Sequence, residues 1–253
     1  MQLIFRSIGG KNMLLRTIIW FAYFWLYLLL TLPVSGYITY LEKKNPEKAS
    51  KFVAHFVKNW ARRLIKLAGG EVTIVGEENL PKDTAYIVVA NHQGYFDIPI
   101  MLSMVGDVRG FVAKKELEHL ICVRLWMRHL HCLFVDRGSL RAGAQTIING
   151  SKMLKDGHSL TIFPEGTRSK GGPVKPFKAG AFRIAAQVGK PIVPVTIDGS
   201  YKLLEANPHS FINAAKVKVT IHKPIETKNM TREQAHTLPE QVRQVIINDL
   251  NNK

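Results

Sequence analysis

The 253-residue chain is 46% hydrophobic, enough to close a sizeable core in a domain of α/β size, which excludes a disordered or collagen-like polypeptide. Lysine and arginine number 35 against 19 acidic residues, a formal charge of +16 that calls for an acidic neighbour, with nucleic acid and phospholipid headgroups both open. The two cysteines, Cys122 and Cys132, lack a paired metal-like spacing. They argue against a disulfide framework or a zinc site and favour a reduced, cytosol-facing compartment.

The first predicted element is an uncharged stretch from Thr17 to Val34, TIIWFAYFWLYLLLTLPV. At about 1.5 Å per residue a helix of that length nearly crosses a hydrocarbon core of about 30 Å. Trp20, Tyr23, Trp25 and Tyr27 supply rings suited to the membrane interface. A membrane segment is expected, with a cleaved signal peptide as the competing reading because Arg6, Lys11 and Arg16 precede it and Val34, Ser35 and Gly36 follow. Basic residues on both sides leave its topology open between a span and a helix dipping into one leaflet. From Pro46 to Ala68, apolar residues recur at helical spacing with lysines and arginines largely elsewhere. Such a helix suits an anionic bilayer surface or packs on the following domain, and Gly69-Gly70 closes it. Residues 1–70 are thus an N-terminal membrane-anchoring region.

Residues 71–253 read as one α/β domain, a mixed sheet flanked by helices, without internal repeats. Strands are predicted near Val72 to Val75, Tyr86 to Ala90, Gly110 to Ala113, Cys132 to Val135, Leu160 to Phe163, Ile192 to Ile197 and Val217 to Ile221. Helices are predicted over Asp97 to Val105, Lys115 to Leu130, Leu140 to Lys155, Ala179 to Val188 and Leu238 to Leu250, the last opened by a Thr237/Glu240 capping box.

Two strand ends carry chemistry, as expected where the carboxyl ends of strands gather ligands. After Ala90 comes Asn91-His92-Gln93-Gly94-Tyr95-Phe96-Asp97. In a regular helix His92 and Asp97 do not share a face, since five residues rotate them by about 140°. A turn at Gly94 lets them meet, and Asp97 then orients the imidazole and stabilises its protonated form. Equally, Asp97 is placed to do no more than cap its own helix. The second strand end is Phe163-Pro164-Glu165-Gly166-Thr167-Arg168-Ser169, where a carboxylate, a hydroxyl and a phosphate-seeking guanidinium share a turn, followed by Lys170, Lys175 and Lys178.

With both turns in view, the chain resembles the 1-acylglycerol-3-phosphate (lysophosphatidate) acyltransferases over roughly Ala85 to Ser200. The resemblance rests on Asn91-His92 through Asp97, on Ala113-Lys114-Lys115-Glu116-Leu117 with Phe134-Val135-Asp136-Arg137, on Phe163 to Ser169, and on Val193-Pro194-Val195-Thr196. It implies that His92 is the base and Asp97 its partner, that Lys114 and Arg137 contact the acceptor phosphate, and that Glu165, Gly166, Thr167 and Arg168 bind the phosphorylated glycerol. Val193, Pro194 and Val195 would border the acyl site. Many relatives place a Pro-x-x-Gly turn where this chain reads Leu120-Ile121-Cys122-Val123-Arg124, so the loop path there departs from the pattern.

The implied reaction moves a fatty acyl group from acyl-CoA or acyl-carrier protein, as co-substrate, to the sn-2 hydroxyl of lysophosphatidate, at a cell membrane with the domain facing the cytoplasm. No cofactor, metal or nucleic acid is expected. Glycerol 3-phosphate or another lysophospholipid is the alternative acceptor, and a thioesterase using water is disfavoured by the phosphate-binding residues. A membrane-anchored nucleic-acid binder lacks a recognition helix or stacking platform.

Overall fold

A computed structural model describes residues 2–104, 110–136 and 138–252. The chain opens with three helices, α1 (Gln2–Leu30), α2 (Leu32–Lys44) and α3 (Pro46–Ala68). The apolar stretch expected as one element through Val34 breaks at Thr31, and Val34 belongs to α2. Pro33 in the first turn of α2 explains the break, because proline fixes φ and supplies no N–H but fits a helix start. Within α1, Asn12–Leu30 is long and apolar enough to cross a membrane, with only 11% of it buried in the fold.

The alternative weighed for α3, packing on the domain, is realised. Val53, Val57, Ala61, Leu64, Ile65 and Ala68 are buried, and Gly69 ends the helix in the left-handed region at φ 76°. Trp20 ties α1 to this helix by donating from Nε1 to the Leu64 carbonyl at 2.9 Å.

Among the described residues, seven strands form one sheet: β1 (Gly70–Val75), β2 (Ile87–Ala90), β3 (Gly110–Lys114), β4 (Leu133–Val135), β5 (Leu160–Ile162), β6 (Ile192–Asp198) and β7 (Ala215–Ile221). Their order is β1-β7-β6-β2-β5-β3-β4, parallel throughout except for the antiparallel β6/β7 pair. The mixed α/β sheet expected from the sequence is therefore present. β2 is buried along its whole length between β5 and β6, as its unbroken apolar run requires. Its side chains alternate faces. Val88 and Ala90 join Val193, Val195, Phe96 and Leu64 on one side. Ile87 and Val89 join Leu160, Phe182 and Val242 on the other.

Helices α4 (Asp97–Met104), α5 (Ile121–His129), α6 (Leu140–Lys155), α7 (Gly180–Val188) and α8 (Arg232–Asn251) complete the fold. Val105, expected at the end of α4, lies outside the described residues. Two boundaries differ from expectation. The helix expected over Lys115 to Leu130 divides into a 3-10 turn, Lys115–His119, and α5, because Leu120 is non-helical at ψ 89°. α8 begins at Arg232 and not at Leu238, capped by Thr231 with Gln234 in a reciprocal capping box. Thr237 lies inside it and bonds back to the Gln234 carbonyl at 3.1 Å. Pro239 is carried in the helix interior, where Leu238, Val242 and Ile246 on one face are fully buried.

A polar chain with Ser35 and His129 buried links the N-terminal helices to the sheet domain. Ser35 Oγ lies 2.8 Å from His129 Nε2, and His129 Nδ1 lies 2.8 Å from Glu42 Oε1. The order of groups is that of a hydrolase triad, but Ser35 is only 2% exposed and has no room for a substrate. It latches α2 to α5.

Candidate active site

Because β2, β3, β4, β5 and β6 are mutually parallel, all their carboxyl ends meet on one edge of the sheet. The two chemistry-bearing turns leave neighbouring strands there. Past Ala90, Asn91 prolongs the ladder by side chain, donating from Nδ2 to the Ile197 carbonyl at 2.9 Å and accepting from the Ile197 N–H at 2.8 Å. That pairing fixes where His92 emerges.

Asp97 begins α4, but its carboxylate turns back toward the preceding residues instead of capping its own helix. It is fully buried. Oδ2 accepts from the Gln93 N–H at 2.7 Å and the Gly94 N–H at 2.9 Å, and lies 2.6 Å from His92 Nδ1. Oδ1 accepts from the Ser200 hydroxyl. A carboxylate is an acceptor, so the proton at this contact sits on His92 Nδ1 and the lone pair is left on Nε2. The imidazole stacks on Phe163, ring centres 4.3 Å apart, and its side chain is 18% exposed.

The second turn is bound to the first through the main chain. The Ser169 N–H donates to the His92 carbonyl at 2.7 Å and the Lys170 N–H to the Gln93 carbonyl at 3.0 Å. Glu165, 5% exposed, accepts from the His92 N–H at 2.7 Å through Oε1 and from the Lys175 N–H at 3.0 Å through Oε2. Burial pushes its carboxyl above the usual range, against the pull of those two bonds. Glu165 thus braces the histidine turn from beneath. Gly166 makes the tight corner at φ 70°, and Thr167 is exposed beyond it.

Arg168 folds over the first turn. Its guanidinium carbon lies 3.5 Å above the Tyr95 ring, and Nη1 lies 3.6 Å from Glu205 Oε1. Lys114 stands apart at the end of β3, exposed and 3.7 Å from Glu116 Oε1. Arg137 lies outside the described residues. Val193, Pro194 and Val195 are buried within β6 and form the floor behind the turn. The sequence reading missed Gln93, Ser200 and Glu205. Gln93 Oε1 accepts from the Gly199 N–H at 2.8 Å, and Ser200 bonds Asp97. The signal for both was available, since Gly199-Ser200 is the polar turn ending a third apolar strand.

The Acyltransferase family profile matches residues 71–198, half of the chain. The chain belongs to the acyltransferase family. In the family's solved structures it is similar to the crystal structure of the 1-acyl-sn-glycerophosphate acyltransferase PlsC of Thermotoga maritima. The TM-score is 0.81 at 30% identity, covering 96% of this chain and 98% of that one. Among sequences it is 38% identical over 153 residues to the chloroplastic 1-acyl-sn-glycerol-3-phosphate acyltransferase BAT2 of Brassica napus, covering 60% of this chain and 44% of the relative. It is 29% identical over 184 residues to the 1-acyl-sn-glycerol-3-phosphate acyltransferase of Borreliella burgdorferi, covering 73% of each. The match spans less than half the length of the Brassica relative. The acyltransferase profile encloses both turns of the site, His92 to Asp97 and Phe163 to Arg168.

Proposed function

We propose that this chain is a membrane-bound acyltransferase that moves a fatty acyl group from an acyl thioester to the sn-2 hydroxyl of lysophosphatidate, giving phosphatidic acid. The observation that carries this reading is the 2.6 Å contact between His92 Nδ1 and Asp97, which leaves Nε2 open at the strand edge that also bears Arg168.

The steps follow from that geometry. Nε2 of His92 takes the proton from the acceptor hydroxyl as its oxygen bonds to the thioester carbonyl carbon, and the carbonyl oxygen becomes an oxyanion. Asp97 stabilises the imidazolium that results. The oxyanion collapses, the carbon–sulfur bond breaks, and the imidazolium returns its proton to the departing thiolate. The products are an ester and a free thiol. Arg168 holds the acceptor phosphate, with Lys114 and Arg137 as further cations for it, and this holding removes much of the entropic cost of joining two substrates.

The donor is acyl-CoA or acyl-carrier protein, both anionic and matched to the +16 chain. The acyl chain enters from the bilayer, where we place the exposed apolar residues of α1, including Leu14, Leu15, Ile18, Leu26 and Leu29. Val193, Pro194 and Val195 back the acyl site from the buried strand. The domain faces the cytoplasm.

Assay of the purified protein with lysophosphatidate against both donors, reading the regiochemistry of the product, tests the reading. Phosphatidic acid acylated at sn-2 is expected. Turnover with glycerol 3-phosphate and none with lysophosphatidate would replace the acceptor.

A further inference from the structure

We propose that Glu205 is a positioning residue that anchors Arg168 for the acceptor's phosphate, an inference that rests on the role given to Arg168 above. Glu205 lies beyond the matched residues 71–198, after the 3-10 turn Ser200–Leu203. Its side chain is 5% exposed. Oε1 accepts from the Tyr95 N–H at 2.7 Å, and the same oxygen faces Arg168 Nη1 at 3.6 Å. Oε2 is buried without a hydrogen-bond partner.

The catalytic turn is shaped to admit this carboxylate. A Cβ on Gly94 would stand 2.5 Å from Oε2 and 2.9 Å from Cδ, so only glycine allows the approach. One acidic group therefore touches the turn that carries His92 and the arginine of the second turn together. Burying a carboxylate with one oxygen unpaired is costly, and the guanidinium is the cation beside it that offsets the cost. Burial raises the carboxyl's pKa, nearby Asp97 adds to the rise, and Arg168 opposes it. With one edge of the guanidinium toward Glu205 and one face on the Tyr95 ring, its other N–H groups are held ready for phosphate oxygens. A fork ordered before binding loses less freedom when phosphate arrives.

The test is steady-state kinetics of the full chain, purified in detergent, with lysophosphatidate varied at saturating acyl thioester. Glu205→Gln keeps an acceptor for the Tyr95 N–H and removes the charge. It should raise KM for lysophosphatidate about tenfold while kcat changes less than about twofold, and add nothing further in an Arg168→Ala background. Loss of charge without loss of position would instead strengthen the pull of Arg168 on phosphate and lower KM. A lowered or unchanged KM in Glu205→Gln, where Arg168→Ala raises it, overturns the inference alone. An unchanged KM in Arg168→Ala overturns the phosphate role of Arg168 and this inference with it. Should Glu205→Gln fail to fold, Tyr95→Leu removes the ring beneath the guanidinium from an exposed position. That variant should also raise KM, and an unchanged value overturns the inference.

Discussion

Nδ1 of His92 lies 2.6 Å from Oδ2 of Asp97, and the N–H groups of Gln93 and Gly94 converge on that same oxygen. The aspartate therefore holds the ring and the turn from which it projects. Asp97→Asn keeps one acceptor for the turn but removes the charge that stabilises the imidazolium. The expected result is a fall in kcat of about 10²–10⁴-fold, the usual worth of a positioned base. A kcat within a few fold of the parent counts against the pairing.

Glu165 and Glu205 both have carboxyl groups pushed above the ordinary range, chiefly by burial. Each holds a proton more tightly folded than unfolded. Each therefore contributes stability that is complete below the ordinary carboxylate value and lost as pH rises through the raised folded value. Melting temperature measured from about pH 4 to about pH 7 should fall less steeply for Glu165→Gln than for the parent. Identical slopes would show that Glu165 is not the group responsible.

The Ser35–His129–Glu42 chain is expected to act on stability and not on chemistry. Ser35→Ala leaves a buried imidazole nitrogen without its partner. That loss costs about 1–3 kcal/mol, a drop in melting temperature of roughly 2–12 °C for a chain of this size. Turnover per folded molecule should be retained. Abolished turnover at unchanged melting temperature would instead make Ser35 a reacting group.

Burial pushes the Cys132 thiol up to about 12, and its sulfur faces the Phe111 N–H at 3.4 Å. Thiols react as thiolates, so Cys132 should resist iodoacetamide in the native protein near pH 8. It should label only on unfolding. Rapid native labelling, read by peptide mass, would show that this segment opens.

The sheet and the two turns were legible because their signals are local. The short β-branched run from Tyr86 to Ala90 reads as a strand buried on both faces, and the polar residues after it announce its end. The start of α8 differs from the sequence reading because Thr237 and Glu240 have capping-box spacing, while the reciprocal capping box forms at Thr231 and Gln234. Spacing alone left open whether Asp97 caps a helix or holds a histidine, since the turn at Gly94 permits both. What decides is the Ser200 hydroxyl and the backbone of Gln93 and Gly94, which together orient the carboxylate. Ser200 stands 103 residues away from Asp97, and Glu205 stands 110 from Tyr95. Contacts of that range exist only once the strands have been ordered, and no local pattern carries them.

His92 carries the proposed base role, and a single substitution tests it. Acyl transfer from an acyl thioester to lysophosphatidate is measured for the purified parent and for His92→Ala, with thermal melting confirming that both are folded. Loss of turnover by about 10²-fold or more at an unchanged melting temperature is the expected result. Turnover in His92→Ala within a few fold of the parent would contradict the assignment of Nε2 as the base.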